Sequence, residues 1–186
     1  DVGIFLAGSS SNNFIGGANQ AVGNLVAFNL DGGVALIGAV PGLGQPDAMV
    51  SNSILANRLI FNGNDGLILQ DASGNAIGSP AAEHANIIAE NGRNGITIRR
   101  GQGNPIATNQ IFRNAGLGIS LGEKANPTTP LPNDPGDGDN GANGLQNKPE
   151  LTDVLIADDV ALPGGVHRRL VTVHGILRST QNTGFL

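Results

Sequence analysis

Apolar residues in this chain recur in short alternating groups and not at the three- and four-residue spacing of an amphipathic helix. The clearest groups follow a glycine and consist of two aliphatic residues separated by one other residue. Alternation over three or four positions is typical of a short β-strand, so the pattern predicts an all-β protein. The paired aliphatic positions are Val34 and Leu36, Leu67 and Leu69, Ile96 and Ile98, and Ile119 and Leu121.

Asparagine and glycine mark the boundaries of these groups in a repeated motif. The motif begins at Asn24, Asn57, Asn86 and Asn109. Each copy has a second asparagine five residues later, and a glycine nine residues after the first asparagine. Repetition in the same order indicates an internal repeat, which constrains the fold more strongly than any local signal. The second asparagines and the glycines are Asn29, Asn62, Asn91, Asn114, Gly33, Gly66, Gly95 and Gly118.

A further asparagine precedes each copy, at Asn13, Asn52, Asn75 and Asn104. Its successive spacings are 39, 23 and 29 residues. A base period of 23 residues accounts for them if two copies carry a six-residue insertion and one carries ten further residues near residues 39–47. We therefore expect the insertions to form lateral loops.

A 23-residue period with three short strands suits one coil of a right-handed parallel β-helix, a solenoid in which successive coils pair in parallel. Equivalent residues then stack on one another. Val26, Leu59, Ile88 and Ile111 are equivalent, so we expect them to stack inside the solenoid.

The asparagine and glycine columns have expected structural roles. We expect the second asparagines to occupy a bend in the left-handed conformation and to form a hydrogen-bonded ladder along the stack. We expect the glycine column to mark a second bend, where a Cβ atom does not fit. A neighbouring column is not expected to form a ladder. It consists of Gly32, Asp65, Asn94 and Leu117.

The composition excludes several classes of protein. Charged residues are 13%, the net charge is -5 and no basic stripe is present, which argues against a nucleic-acid partner. Cysteine is absent, so disulfides and thiolate metal sites are excluded. No apolar stretch approaches the roughly 18 residues that indicate a membrane span. The chain ends within an apolar stretch, so we interpret it as a segment of a longer protein.

The repeat pattern ends after Leu121. We predict coils over residues 1–125 and a Pro/Gly/Asp-rich loop with a coil-end cap over 126–151. We predict the start of a second, truncated β module over 152–186, with a strand at Arg168–Leu177. The extended pattern of Leu145–Asp159 is expected to help close the end of the solenoid, because exposed strand edges pair with other chains.

The coils, which read Asn-x-Ile-x-x-Asn-x-x-x-Gly-Ile-x-Leu, resemble the right-handed parallel β-helix repeats of bacterial secreted and cell-surface proteins. The segment Asp134–Leu151 is similar to the stretch that follows the last coils in one group of these proteins. The resemblance implies an extracellular or cell-surface location and contact with further coils of the same parent protein. Since lyases, epimerases, copper-delivery-type proteins and adhesins share the repeat, the resemblance is more specific for fold than for function.

We therefore expect a structural or adhesive segment whose partner is an extracellular polysaccharide or another surface. The flat, weakly charged strand face suits such contact, and it equally matches a plain strand face without a partner. The alternative is a polysaccharide lyase or epimerase that acts on an acidic glycan. The face consists of Ala35, Ile68, Thr97 and Ser120.

Two sets of charged residues have possible chemistry. In "DGDNGAN", Asp137, Asp139 and Asn143, together with Asp134, present alternate oxygens typical of a Ca²⁺ loop, although the final Glu of an EF-hand is missing. The alternative is a solvated acidic turn. A lyase needs a carboxylate cluster and a cationic base, but stacked opposite charges explain the same residues, so no catalytic residue is predicted. The lyase candidates are Asp65, Asp71, Glu90, Arg93, Arg99 and Arg113.

Overall fold

The computed structural model describes residues 1–38, 49–123, 129–162 and 166–179. The ten-residue insertion predicted near residues 39–47 lies outside the described residues. The chain forms two compact units. The first contains Asp1–Leu131 and Asp139–Leu145, and the second contains Pro132–Gly138 and the described residues from Gln146 onward.

Short strands make up the first unit. Short 3-10 helices lie at Ala82–His84, within one predicted six-residue insertion, and at Ala142–Leu145. The strands are β1 (Val2–Ala7), β2 (Phe14–Gly16), β3 (Leu25–Ala27), β4 (Gly32–Ile37), β5 (Met49–Val50), β6 (Ser53–Leu55), β7 (Arg58–Ile60), β8 (Leu67–Gln70), β9 (Ala72–Ser73), β10 (Ala76–Gly78), β11 (Ile87–Ala89), β12 (Ile96–Ile98), β13 (Ile106–Ala107), β14 (Gln110–Phe112) and β15 (Ile119–Leu121).

These strands form three larger parallel sheets, which confirms the prediction of an all-β protein with parallel pairing. The orders are β1-β4-β8-β12-β15, β13-β10-β6-β2 and β14-β11-β7-β3. Strands β5 and β9 form a smaller parallel pair. In the third sheet, Leu59 pairs with both Val26 and Ile88, and Ile88 also pairs with Ile111. Residues at equivalent positions of the repeat are therefore neighbours in the sheet.

The inward residues of the three sheets form one aliphatic core. Burying a Leu, Ile or Val side chain contributes roughly 1.5–3 kcal/mol, so the repeated aliphatic positions are the main apolar stabilisation of this unit. The largest fully buried members are Val34, Leu36, Met49, Ile54, Leu59, Leu67, Leu69, Ile77, Ile88, Ile96 and Ile98.

Asparagine side chains connect the repeats in three hydrogen-bonded ladders. In each ladder, the Nδ2 atom of one asparagine lies 2.8 to 3.1 Å from the Oδ1 atom of the next. We name them by column. The first ladder contains Asn13, Asn52, Asn75 and Asn104; the second contains Asn24, Asn57, Asn86 and Asn109; the third contains Asn29, Asn62, Asn91 and Asn114.

An inner rung uses all the hydrogen-bonding capacity of its side chain. Asn91 Oδ1 accepts from the backbone N–H of Asn62 at 3.1 Å and from Asn62 Nδ2 at 3.0 Å. Asn91 Nδ2 donates to Asn114 Oδ1 at 2.9 Å and to the carbonyl of Leu59 at 3.0 Å. A buried amide is stable only when its donors and acceptors are paired, and these contacts pair them.

The left-handed residue of the bend is not the asparagine of the third ladder, so that expectation is wrong. The residues with positive φ immediately precede it: Phe28, Phe61, Glu90 and Arg113 have φ of 54° to 60°. The asparagine side chain must point inward to join its ladder, so the preceding residue makes the turn and points outward. This outward column consequently varies from aromatic to charged.

Three glycines of the predicted glycine column, Gly33, Gly66 and Gly95, lie against the third ladder. A Cβ on Gly95 would lie 2.5 Å from Ile111 Cγ2 and 3.0 Å from Asn114 Nδ2. A Cβ on Gly66 would lie 2.8 Å from Asn91 Nδ2. Gly33, Gly66, Gly95 and Gly118 do not have positive φ. Close approach, and not a bend, therefore requires glycine at Gly33, Gly66 and Gly95.

The column of Asp65 and Asn94 has no side-chain-to-side-chain ladder, as expected, but its side chains bond the backbone of the next repeat. Asp65 Oδ1 accepts from the Asn94 backbone N–H at 3.0 Å, and Asn94 Oδ1 accepts from the Leu117 N–H at 2.8 Å. Asn94 Nδ2 donates to Thr97 Oγ1 at 3.0 Å. The network is shorter than the ladders because glycine and leucine occupy the column in the outer repeats.

The second unit contains an antiparallel hairpin of β16 (Glu150–Leu162) and β17 (Val166–Ile176). The extended pattern of Leu145–Asp159 therefore falls largely in β16, whose hydrogen-bonded partner is β17, and the predicted strand at Arg168–Leu177 falls largely in β17. Apolar side chains are exposed on both faces of this hairpin. Val154, Ile156, Val171 and Val173 share one face, and Leu155 and Leu170 lie on the other, each 51 to 58% exposed.

We predict that Gly95→Ala lowers the free energy of unfolding by about 1–3 kcal/mol, because its Cβ overpacks the ladder and core. Gly118→Ala is the matched control, since the nearest atom to its Cβ is Ile111 Cγ2 at 3.6 Å. The control should change stability by no more than about 0.5 kcal/mol. Urea unfolding of both variants measures the difference, and equal losses would contradict the proposed contact.

We predict that Asn91→Ala lowers the free energy of unfolding by roughly 2–5 kcal/mol, because it leaves the buried donors of Asn62 and the carbonyl of Leu59 unpaired. Asn94→Ala should cost less, since it removes one acceptor contact and one donor contact of the side chain. Denaturant unfolding monitored by circular dichroism compares the two variants. A larger loss for Asn94→Ala would show that the ladder is not the dominant polar contact.

Candidate functional site

Asn143, a predicted calcium ligand, extends the first ladder. Its Oδ1 accepts from the Asn104 backbone N–H at 2.9 Å and from Asn104 Nδ2 at 3.2 Å, and its Nδ2 donates to the Asn104 carbonyl at 2.8 Å. Ala142 is buried beside it, and Leu145 packs against the core. Segment Asp139–Leu145 therefore adds a rung without adding a full repeat.

The spacing of Asn143 contains a signal that sequence reasoning missed. Asn104 and Asn143 are 39 residues apart, the same separation as Asn13 and Asn52. The longest spacing of the first column thus occurs twice. The second occurrence of this spacing was missed because the Asp, Gly and Pro residues of the intervening loop indicated a solvated turn.

The carboxylates of Asp137 and Asp134 lie in the second unit and bind protein donors. Asp137 Oδ1 accepts from the Asn147 N–H at 2.7 Å, and Asp137 Oδ2 accepts from Ser179 Oγ. Asp134 Oδ2 accepts from the Gly138 N–H at 3.0 Å. Buried Asn147 connects the segment further, because its side chain bonds the backbone N–H and carbonyl of Asp134. Protein contacts therefore order this turn.

One buried oxygen of the predicted calcium ligands, Asp134 Oδ1, has no donor among the described residues. Within the described ranges, no three His, Asp or Glu side chains converge where they could share a metal ion. Asn143 Oδ1 already accepts hydrogen bonds from Asn104. A calcium ion at Asp134, Asp137 and Asp139 stays a prediction, and Asn143 fits better as a ladder rung.

Asp71, one of the residues considered for catalysis, lies in a surface group of ion pairs with Arg100 and Glu123. Arg100 makes a two-point contact with Asp71, with both N···O distances 2.7 Å, and a third bond to Glu123 at 3.0 Å. The hydrogen bonds to Asp71 are the largest cause that raises the pKa of Arg100 above its usual value. Since the pairs are exposed, their contribution to stability is small.

The remaining catalytic candidates are similarly dispersed. Glu90 pairs with Arg113 at 3.3 Å, Arg99 donates to Gln70 at 3.3 Å, and buried Asp65 accepts from Asn94. The structure does not bring these groups together in one acidic groove among the described residues. This arrangement supports a structural role for the stacked charges more than a role in acid–base catalysis.

The strand face expected to contact a glycan is largely buried, so that expectation is wrong. Ala35 and Thr97 are each 3% exposed and Ser120 is 1% exposed, whereas Ile68 is half-buried. The Asn94 side chain bonds Thr97 Oγ1, so the adjoining bend covers this position. The small side chains of this face allow the adjoining bend to cover it. The alternation of residues along a strand cannot show such burial.

An exposed apolar surface of the first unit lies around β3 and the bends that follow β3 and β7. The rings of Phe28 and Phe61 stack with centroids 5.5 Å apart and planes 7° apart. Phe28 is 79% exposed, Leu25 65%, Leu30 78% and Phe61 47%. We call these four residues the phenylalanine surface. Stacked rings offer a flat apolar face that a monomeric soluble protein seldom exposes without a binding role.

No family model, no curated protein and no solved structure matches the chain. Among the residues described, no helix has both the length and the apolar composition needed to cross a membrane.

We predict that calcium, if it binds Asp134, Asp137 and Asp139, raises the melting temperature of the whole chain. Calcium at a hundred times its dissociation constant would add about 2.7 kcal/mol when binding is coupled to folding. Thermal melting in excess chelator and in millimolar Ca²⁺ measures the effect.

Asp139→Asn is the informative variant, since no hydrogen bond holds its carboxylate in the described structure and the exchange removes a metal ligand charge. Asp137→Asn should lower stability in both buffers, because Asp137 accepts from Asn147 and Ser179. Identical melting of the unmodified chain in both buffers would show the calcium prediction to be wrong.

Proposed function

We propose that this chain is a right-handed parallel β-helix segment of a secreted or cell-surface protein with a structural and adhesive role. The parallel sheets and the ladders that link equivalent asparagines support the β-helix. Right-handed connection is the strong preference for parallel strands of one sheet. A base coil of 23 residues agrees with the Asn52–Asn75 rung, whose partners are 23 residues apart.

The adhesive role is supported by the phenylalanine surface. Phe28 and Phe61 present parallel rings on a backbone that the third ladder fixes through Asn29 and Asn62. The apolar face of a sugar ring stacks on such rings, and the four residues of the phenylalanine surface are themselves uncharged, which suits a neutral polysaccharide. Fixed side chains lose little conformational freedom on binding, which favours affinity.

A lyase or epimerase is the less supported function. Such an enzyme needs a carboxylate cluster and a cationic base that converge on one sugar. The described Arg100 and Arg113 are engaged by Asp71, Glu123 and Glu90, on an exposed surface. We therefore propose binding and not catalysis.

Binding to neutral insoluble polysaccharides, namely cellulose, chitin and xylan, tests the proposal. We expect the chain to be retained by at least one of them. The variant Phe28→Ser/Phe61→Ser should bind at least about tenfold more weakly, a loss of about 1.4 kcal/mol. Pull-down at several protein concentrations gives the affinities, and circular dichroism shows that the variant is folded.

Phe5→Ser is the matched control. Phe5 is 58% exposed but lies in β1, in a different sheet from β3. Its binding should equal that of the unmodified chain. Retention on none of the three polysaccharides, or an equal loss in Phe5→Ser, would contradict a glycan-binding role for the phenylalanine surface.

A further inference from the structure

Five Asn–Gly pairs occur in the chain, and each has the covalent chemistry for spontaneous loss of its side-chain amide. The glycine nitrogen, once it has lost its proton to a solvent base, attacks Cγ of the asparagine, and Nδ2 takes a proton from water and leaves as ammonia. The cyclic imide then adds water and opens to aspartate or to isoaspartate, whose main chain runs through the former side-chain carbonyl. Glycine favours the attack because it has no side chain to obstruct it. The pairs begin at Asn62, Asn91, Asn94, Asn140 and Asn143.

The third ladder protects the pairs that begin at Asn62 and Asn91. Both asparagines are 2% exposed, and their side-chain amides are bonded within the ladder. The N–H of Gly63 donates to the Asn29 carbonyl and that of Gly92 to the Asn62 carbonyl, both at 2.8 Å. Attack requires these bonds to break, the amide to leave the ladder and water to enter. These pairs therefore react only after local opening of the structure.

Two further pairs are held by other contacts. Buried Asn94 donates from Nδ2 to Thr97 Oγ1, and the Gly95 N–H donates to a backbone carbonyl at 2.9 Å. The side chain of Asn143 is a rung of the first ladder, and the Gly144 N–H donates to a backbone carbonyl at 3.1 Å. In both pairs, the attacking nitrogen and the attacked amide are therefore engaged elsewhere.

The pair formed by Asn140 and Gly141 is different. Both residues are exposed. Among the described residues, none bonds the Asn140 side chain and none accepts from the Gly141 N–H. Gly141 has φ of 155°, and a Cβ atom there would lie 2.8 Å from Leu145 Cγ. Packing therefore requires glycine at this position, while both reacting groups of the pair are free.

We propose that Asn140 is a site of spontaneous deamidation, and that its isoaspartate product releases the rung that Asn143 adds to the first ladder. Isoaspartate inserts a carbon atom into the main chain just before Gly141. Since Gly141 packs closely on Leu145 and Asn143 follows directly, the added length displaces the rung from Asn104. The aspartate product leaves the main chain unchanged and keeps the rung. The site is separate from the phenylalanine surface, so either proposal can fail without the other.

Incubation of the folded chain in mildly alkaline buffer, followed by proteolysis and peptide mass spectrometry, tests the site. We expect conversion at Asn140 to be at least about tenfold faster than at the other four asparagines, because those pairs require local opening first. In concentrated urea, all five pairs should convert at similar rates. Equal rates in the folded chain, or the same preference for Asn140 in urea, would overturn the proposal.

Amide exchange tests the release of the rung, and labelling by an isoaspartyl methyltransferase measures the isoaspartate fraction. In that fraction the Asn104 N–H, which donates to Asn143 Oδ1, should exchange at least about tenfold faster. Asn140→Gln is the matched control, because it keeps an exposed amide but forms the imide far more slowly. Asn140→Asp, measured before incubation, is the control for charge alone.

Both control variants should protect the Asn104 N–H as well as the unmodified chain does before incubation, and Asn140→Gln should keep that protection throughout. An equal loss of protection in incubated Asn140→Gln would overturn the proposed link between isoaspartate and the rung. Full protection of the Asn104 N–H in the isoaspartate fraction would also overturn it.

Discussion

The buried asparagine amide is the constraint on which the rest of the first unit depends. Each inner amide accepts and donates two hydrogen bonds between repeats, and an unpaired buried group costs about 1–3 kcal/mol. A one-residue slip of a strand would unpair a whole ladder and would also turn its aliphatic residues outward. The ladders and the core therefore select the same register. Sheets made only of short aliphatic strands would keep the core but would lack the ladders as a restraint on register.

The third ladder determines the residue type or the backbone conformation at two neighbouring positions. The glycine column exists because the ladder amides and the adjoining aliphatic residues leave no room for a Cβ, as Gly66 and Gly95 show. The residue before each asparagine takes the left-handed conformation because the asparagine itself must face inward. Its side chain faces solvent, so Phe28 and Arg113 occupy equivalent positions without disturbing the core. The column before the third ladder therefore combines a backbone that the ladder fixes with side chains that differ between repeats.

Periodicity predicted what depends on repetition, including the parallel pairing of Leu59 with Ile88 and the close approach at the glycines. It could not assign the left-handed position, because Asn and its predecessor both lie at the bend and only the ladder distinguishes them. It also missed that Thr97 and Ser120 are buried, since that burial depends on neighbouring chain segments and not on strand alternation. Asn143 was missed because a polar loop can supply a rung without supplying a repeat.

The ladders also explain why insertions of different length leave the stack intact. Asn13–Asn52, Asn29–Asn62, Asn57–Asn86 and Asn52–Asn75 are 39, 33, 29 and 23 residues apart, yet their Nδ2···Oδ1 distances are 2.9, 2.8, 3.1 and 2.9 Å. Loop closure becomes only about 0.6 kcal/mol more costly when a loop doubles in length. The hydrogen bonds of a fully paired buried rung stabilise the fold by more than this penalty. The length of chain between two rungs can therefore vary. Lateral loops and outward columns can therefore acquire binding chemistry while the register stays fixed.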